Sequence, residues 1–212
     1  MHDLPPALQE LLKTARIKRF PKGQIIVYMG DTAPEVMIIK KGIVKVHDID
    51  DLGNEKILHI VRPPAVMPFV FFSGGQQTAR WFYSSVTDCE VYVLPKEKLA
   101  ELVQSDAKVG VYLTNWFSRE MHELLTRLSS LGKTNARDKL VAALKFLSVC
   151  HSRPVSGPWL RVIFPVSHQL LANLVGITRE SAAVAMKEMA DEKIVRTPKL
   201  TVLEINFEKL IA

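Results

Sequence analysis

Val166 to Lys187 reads VSHQLLANLVGITRESAAVAMK. Ser167 stands just ahead of an apolar run and suits a helix N-cap, where a side-chain oxygen accepts an orphan backbone N–H. Leu170, Leu171 and Leu174 recur at helical spacing. Ala172 and Gly176 put a small residue where helices pack closely and a glycine where the chain turns with φ above zero. Thr178 suits the cap of a second helix. On that helix Ala182, Ala185, Met186 and Met189 form an apolar face, and Arg179, Glu180, Ala183, Val184 and Lys187 form the opposite one. Two short helices joined at a glycine make a helix-turn-helix, whose second helix enters the major groove of DNA. On this stretch alone, a helical hairpin with a solvated charged face is the alternative.

The charge distribution favours the DNA-binding reading. The 212-residue chain carries a net charge of +6. Residues 133–212 hold 12 Lys and Arg against 7 Asp and Glu, a balance of +5, and residues 1–132 hold 16 against 15. The excess sits in the half with the helix-turn-helix, where it favours phosphate contact. Cys89 and Cys150 give neither a disulfide framework nor a metal-spaced cluster, and they suit buried thiols in a reducing cytoplasm. The N-terminus lacks a signal-peptide pattern. The longest apolar run, Pro63 to Phe72, holds three prolines and is too short to span a bilayer. A cytoplasmic protein with no membrane partner is expected.

Between Phe20 and Leu94, β-rich runs at Ile25–Val27, Val36–Ile39, Ile43–Val46, Ile57–Val61 and Val91–Leu94 are punctuated by Gly23, Gly30, Gly42 and Gly53. Short strands with spaced turns predict an antiparallel β-roll of the jelly-roll kind. Lys96 to Gln104 reads as a short helix and Ser105 to Leu131 as a long one. In the long helix Phe117, Met121, Leu124, Leu128 and Leu131 recur at 4, 3, 4, 3, a heptad seam. Leu113, Trp116 and Leu125 are apolar on other faces, so the helix needs two partners. We expect one face on the β domain and the seam on a second copy, giving a two-fold homodimer. Gly132–Asn135 reads as a hinge, Ala136 to Val149 as a helix, Ser152 to Gly157 as a loop and Leu160 to Val166 as a strand. Ile194–Arg196 and Thr201–Ile205 flank a turn at Thr197-Pro198-Lys199, forming a wing, and Asn206 suits the cap of a final helix. The fold class is α+β. Residues 1–104 form a β-roll sensor domain, 105–132 a dimerisation helix, and 133–212 a winged helix-turn-helix.

This order of parts resembles the CRP/FNR family of bacterial transcription regulators. The resemblance covers nearly the whole chain. It rests on Phe20, Gly23, Ile26, Gly30, Ile39, Gly42, Val44 and Val46, and on Arg137, Leu140, Leu147 and LLANLVGITRESAAVAMKEM. It implies a dimer on double-stranded DNA with an inverted-repeat operator, one recognition helix per half-site, RNA polymerase as a partner, and a small signal bound between β-roll and long helix. It also implies roles. Arg179 falls where the family reads guanine and Glu180 where it accepts from cytosine N4. Val184 replaces a second base-reading arginine of many members, so the operator should differ there. Ser167, His168, Gln169, Ser181 and Lys187 match backbone-contacting positions. Thr178 belongs to the same surface, and Lys199 at the wing is a further phosphate candidate.

The signal departs from the family's best-known one. Members that bind cyclic AMP carry Gly-Glu and Arg-Ser pairs, whereas Pro64 to Arg80, PAVMPFVFFSGGQQTAR, has no acidic residue, and Arg80-Trp81 stands where Arg-Ser would. The long helix offers His122 and Glu123 where hydroxyls would stand, and a glutamate repels phosphate. Cyclic AMP is disfavoured. Two cysteines exclude the family's four-cysteine iron–sulfur cluster. Haem stays open, with His2, His47, His59, His122 and Met67 as axial candidates in no specific motif. The aromatic concentration of Phe69, Phe71, Phe72, Trp81, Phe82 and Tyr83 is core by default. Phe69, Phe72, Arg80, Trp81, Phe82, His122 and Glu123 make a candidate effector pocket for an apolar or aromatic signal, with Arg80 for a carboxylate. A regulator without a ligand is the third option.

A cupin-type metalloenzyme needs clustered histidines and a carboxylate on neighbouring strands. His47 and His59 read as isolated, so no metal site is expected. There is neither a nucleophile–base constellation nor a glycine-rich phosphate loop, so no enzyme activity is expected. A non-specific architectural DNA binder is disfavoured, because Arg179 and Glu180 would be superfluous in one.

Overall fold

A computed structural model describes residues 4–32, 34–72, 78–128 and 132–211, with the side chains of all but Phe71 and Phe72. The chain forms two compact units: Met1–Asp48 with Leu58–Glu120, and Ile49–Ile57 with Met121–Ala212.

The first unit is built from α1 (Pro6–Lys13), eight strands, α2 (Lys96–Ser105) and the start of α3 (Ala107–Leu128). The strands are β1 (Arg16–Phe20), β2 (Ile25–Val27), β3 (Glu35–Lys41), β4 (Val44–Ile49), β5 (Glu55–Val61), β6 (Val66–Met67), β7 (Phe82–Ser85) and β8 (Cys89–Pro95), with a 3-10 turn at Phe69–Phe72. They lie in two four-stranded sheets, β1-β8-β3-β6 and β2-β7-β4-β5. Alternate residues point inward: Val36, Ile38, Val91 and Val93 from one sheet and Val44, Val46 and Tyr83 from the other share one apolar cluster. Leu8 and Leu12 of α1, Leu99 of α2, and Val109, Leu113 and Trp116 of α3 join it. This is the antiparallel β-roll that the strand pattern predicts. Hydropathy alone does not reveal β1: Arg16, Lys18 and Arg19 make it polar, it lies at a sheet edge, and Arg16 and Arg19 pair with Glu35 and Glu90 at 3.0 and 3.1 Å.

Two details depart from expectation in the helical region. Asp106 breaks the run that reads as one helix from Ser105: α2 ends there, and its carboxylate accepts from the Lys108 N–H at 2.8 Å to begin α3. Along α3, Val109, Leu113, Trp116 and Glu120 are buried, at spacings of 4, 3, 4. One residue over runs a second stripe: Phe117, Met121 and Leu128 are 38, 42 and 54% exposed, and Leu124 is half-buried. Leu125 is exposed as well, and Leu131 lies outside the described residues.

The second unit contains α4 (Ala136–Cys150), β9 (Ser152–Ser156), β10 (Trp159–Val162), α5 (His168–Val175), α6 (Arg179–Asp191), β11 (Val195–Lys199), β12 (Val202–Asn206) and α7 (Phe207–Ile211). Its sheet runs β11-β12-β10-β9. The stretch expected as a loop at Ser152–Gly157 is edge strand β9, turned into β10 at Gly157 with φ +52°. The wing turns at Leu200–Thr201 and not at Thr197-Pro198-Lys199. Pro198 stands inside β11, an edge strand, beside a register shift between Arg196 and Lys199, where a missing N–H breaks no ladder bond. Asn135 caps α4 through the Asp138 N–H at 2.7 Å, and Asn206 caps α7 through that of Lys209 at 3.2 Å.

Gly42 has φ +98°, and a Cβ there would meet the Asp88 carbonyl at 2.5 Å and Cys89 Sγ at 2.6 Å. Gly53 has φ +82° and open space around it. Gly42→Ala should therefore cost ~2–4 kcal/mol, combining backbone strain with overpacking, and Gly53→Ala ~1 kcal/mol from backbone strain alone. Urea unfolding of both variants checks the difference, and equal losses would remove the packing argument.

Candidate functional site

The recognition surface is built by caps and small residues. The Ser167 side chain accepts from the Leu170 N–H at 3.1 Å and starts α5. Gly176 ends it in the left-handed region at φ +67°, its N–H donating to the Ala172 carbonyl at 2.8 Å. The Thr178 hydroxyl oxygen accepts from the Ser181 N–H at 3.1 Å and starts α6. Leu171, Ala172 and Leu174 of α5 and Ala182, Ala185, Met186 and Met189 of α6 are buried. Three alanines among these seven let the helices approach closely.

What remains outside is the set read from the sequence. Ser167, His168, Gln169, Thr178, Arg179, Glu180, Val184, Lys187 and Lys199 are all exposed, and Val184 is 61% so. Ser181 is half-buried and serves the cap. Gln169 donates to Asn173 at 2.7 Å, which in turn donates to Glu55 at 2.9 Å. Arg127, near the end of α3, donates to the Leu174 carbonyl at 2.6 Å, at the C-terminal end of α5, and to that of Ile57. Burial pulls its pKa from 12.5 to about 10, so the guanidinium is still charged at neutral pH.

Arginines also ladder the sheet beneath the wing. Arg196, Glu204, Arg161 and Arg153 face one another in register across β11, β12, β10 and β9. Glu204 is buried and accepts from Arg161 at 2.5 and 2.8 Å and from Arg196 at 2.6 Å. Arg196 also lies 4.1 Å from the centre of the Trp159 ring.

The candidate effector residues do not form one group. Phe82 points to the outer face of its sheet, stacked on His47 at 5.5 Å, with Ser84 2.8 Å from the same imidazole. Arg80, Trp81 and His122 are exposed. Glu123 belongs to the second unit, 3.9 Å from the buried His151, and the Phe72 side chain lies outside the described residues. Phe69 alone faces the inner side, against Tyr83, Trp116 and His59 with ring centres 5.8–6.3 Å apart. The Tyr83 hydroxyl accepts from the Phe69 N–H at 2.9 Å, and burial pushes its pKa well up. The pattern of two explains the split, since neighbours Phe82 and Tyr83 must face opposite ways.

Sequence reasoning missed Glu120. His59, which reads as isolated, meets it with Nε2 2.7 Å from Oε2, both groups buried. The signal was available: a glutamate at the position where the buried stripe Val109, Leu113, Trp116 next falls. Of the other haem candidates, Met67 is fully buried in the core and His2 lies outside the described residues.

Residues 17–106 match the family model of the cyclic nucleotide-binding domain, and residues 138–211 that of the Crp-like helix-turn-helix domain. The global nitrogen regulator of Synechococcus elongatus is 21% identical over 90% of this chain and 86% of its own. The cAMP-activated global transcriptional regulator CRP of Haemophilus influenzae is 20% identical over 93% and 88%. The solved structure of FixK2 from Bradyrhizobium japonicum superposes with a TM-score of 0.77, covering 93% of this chain and 96% of that one at 17% identity. No helix among the described residues is long and apolar enough to cross a membrane.

Burial would raise the Glu204 pKa, but the hydrogen bonds from Arg161 and Arg196 outweigh it and hold the carboxyl below its ordinary 4.5. A depressed folded pKa contributes stability above the unfolded value and loses it as pH falls through the folded one. Glu204→Gln should thus destabilise by ~1–3 kcal/mol at pH 7, and the gap should shrink as pH drops below about 4.5. Thermal melts across pH check this; a pH-independent gap would contradict it.

Proposed function

Because the chain belongs to the CRP/FNR family of transcription regulators, we propose that it is a dimeric, sequence-specific DNA-binding regulator answering to a small signal other than cyclic AMP. One observation carries the DNA reading: the first two turns of α6 turn Ala182, Ala185 and Met186 inward and leave Arg179, Glu180, Val184 and Lys187 to solvent. Arg179 suits the O6 and N7 of guanine, and Glu180 accepts from cytosine N4. Val184 offers a methyl contact to thymine in place of a hydrogen bond. Ser167, His168, Gln169, Thr178, Ser181, Lys187 and Lys199 contact the sugar–phosphate backbone and set the register.

The dimer reading rests on the outer stripe of α3. Phe117, Met121, Leu124 and Leu128 follow heptad spacing and meet the same stripe of a second copy, which places two α6 helices on an inverted-repeat operator. RNA polymerase is the further partner such a regulator addresses. The signal reading rests on chemistry. The stretch that would hold a cyclic nucleotide has no carboxylate for the ribose, and the inner wall at α3 presents Glu120, which repels a phosphate.

In a binding-site selection Arg179→Ala should lose ~1–3 kcal/mol of discrimination at one guanine per half-site. An unchanged sequence preference would sink the assignment of Arg179 as a base contact. Leu124→Glu and Leu128→Glu each put an unpaired charge in the seam. Light scattering should then report the mass of one chain, and a retained dimer mass would move the interface elsewhere.

A further inference from the structure

Neither DNA contact nor the outer stripe of α3 involves the buried histidine–carboxylate pair. His59 is 1% exposed and Glu120 8%. Glu120 takes the fourth place in a stripe whose other members are Val109, Leu113 and Trp116. An apolar side chain there would extend the core, whereas a carboxylate must give up its hydration. Among the described residues His59 is its one charged partner, at 2.7 Å. The imidazole is held at one end only, since Nδ1 has no hydrogen-bond partner among the described residues. A neutral imidazole donating through Nε2 leaves the carboxylate charge uncompensated in an apolar wall that includes Phe69 and Trp116.

A divalent cation resolves that imbalance. An imidazole nitrogen and carboxylate oxygens are the donors that zinc, manganese, cobalt and ferrous iron accept, and the absence of a thiolate argues against cuprous copper. Glu123 follows Glu120 by one turn of the same helix, the spacing that sets two side chains on one face. Two carboxylates and one imidazole offset the charge of a dication and leave a fourth position open. Bonds of about 2.1 Å set neighbouring donors roughly 3.4 Å apart in a tetrahedral site, so the His59–Glu120 contact needs to open by less than ~1 Å.

We propose that His59 and Glu120, with Glu123 as the third donor along α3, bind one first-row divalent cation per chain. The claim concerns binding and does not depend on the DNA reading. The untagged full-length chain, stripped with chelator, is dialysed against zinc and, separately, cobalt(II). One equivalent should be retained, with visible cobalt absorption of four-coordinate intensity. His59→Asn and Glu120→Gln should weaken uptake at least tenfold and abolish that absorption. Glu123→Gln, at a half-buried position, should weaken it while circular dichroism stays native, and it decides the matter if either buried variant fails to fold. Failure of the wild-type chain to retain zinc or cobalt overturns the proposal, as does unaltered uptake by folded variants.

Discussion

One helix with two apolar stripes is the constraint around which the chain is organised. On α3 the buried residues Val109, Leu113, Trp116 and Glu120 and the outer residues Phe117, Met121, Leu124 and Leu128 both step by four and three, one residue out of phase. A residue step on a helix is about 100°, so the stripes face directions well under a half-turn apart. A bulky side chain on one stripe therefore crowds the other, as Trp116 and Phe117 do with ring centres 6.4 Å apart. Any repacking on the inner side is felt at once on the outer one. That is the mechanical property a sensing helix needs, and it follows from spacing alone.

The recognition unit solves a different problem. A helix that reads bases must hold its angle while offering its polar side to a partner. Ala172, Ala182 and Ala185 allow close approach, and the caps at Ser167, Gly176 and Thr178 fix where each helix begins or ends. Arg127 satisfies the Leu174 carbonyl at the C-terminal end of α5, where the last carbonyls of a helix lack internal partners. The two basic roles are thus separate: Arg127 braces the backbone of the motif, and Arg179 stands on its outer face.

How much of this was legible in the residues depended on range. The helix-turn-helix was readable because its caps, its glycine and its small residues act within four positions of one another. The wing was readable as a hairpin, but Pro198 suggested the turn, since a proline that breaks no ladder bond at an edge resembles one that ends a strand. Strands β1 and β6 escaped notice, one because cations cover it and the other because it is two residues long. Alternation could have divided the aromatic cluster, since Phe82 and Tyr83 cannot share a face. The meeting of His59 with Glu120 spans 61 residues of chain, and no local pattern encodes it.

The arginine ladder under the wing alters what the chain's basicity means in solution. Arg161 and Arg196 already share the Glu204 carboxylate, and Arg137 holds Glu192 at 2.6 Å. Cations compensated in this way displace few of the ions condensed on a duplex, because their own fields are largely cancelled before they arrive. Counting lysines and arginines would thus overstate how steeply binding falls with ionic strength. The protein can carry its positive excess toward DNA for steering and yet depend, once seated, on hydrogen bonds and shape more than on displaced counterions.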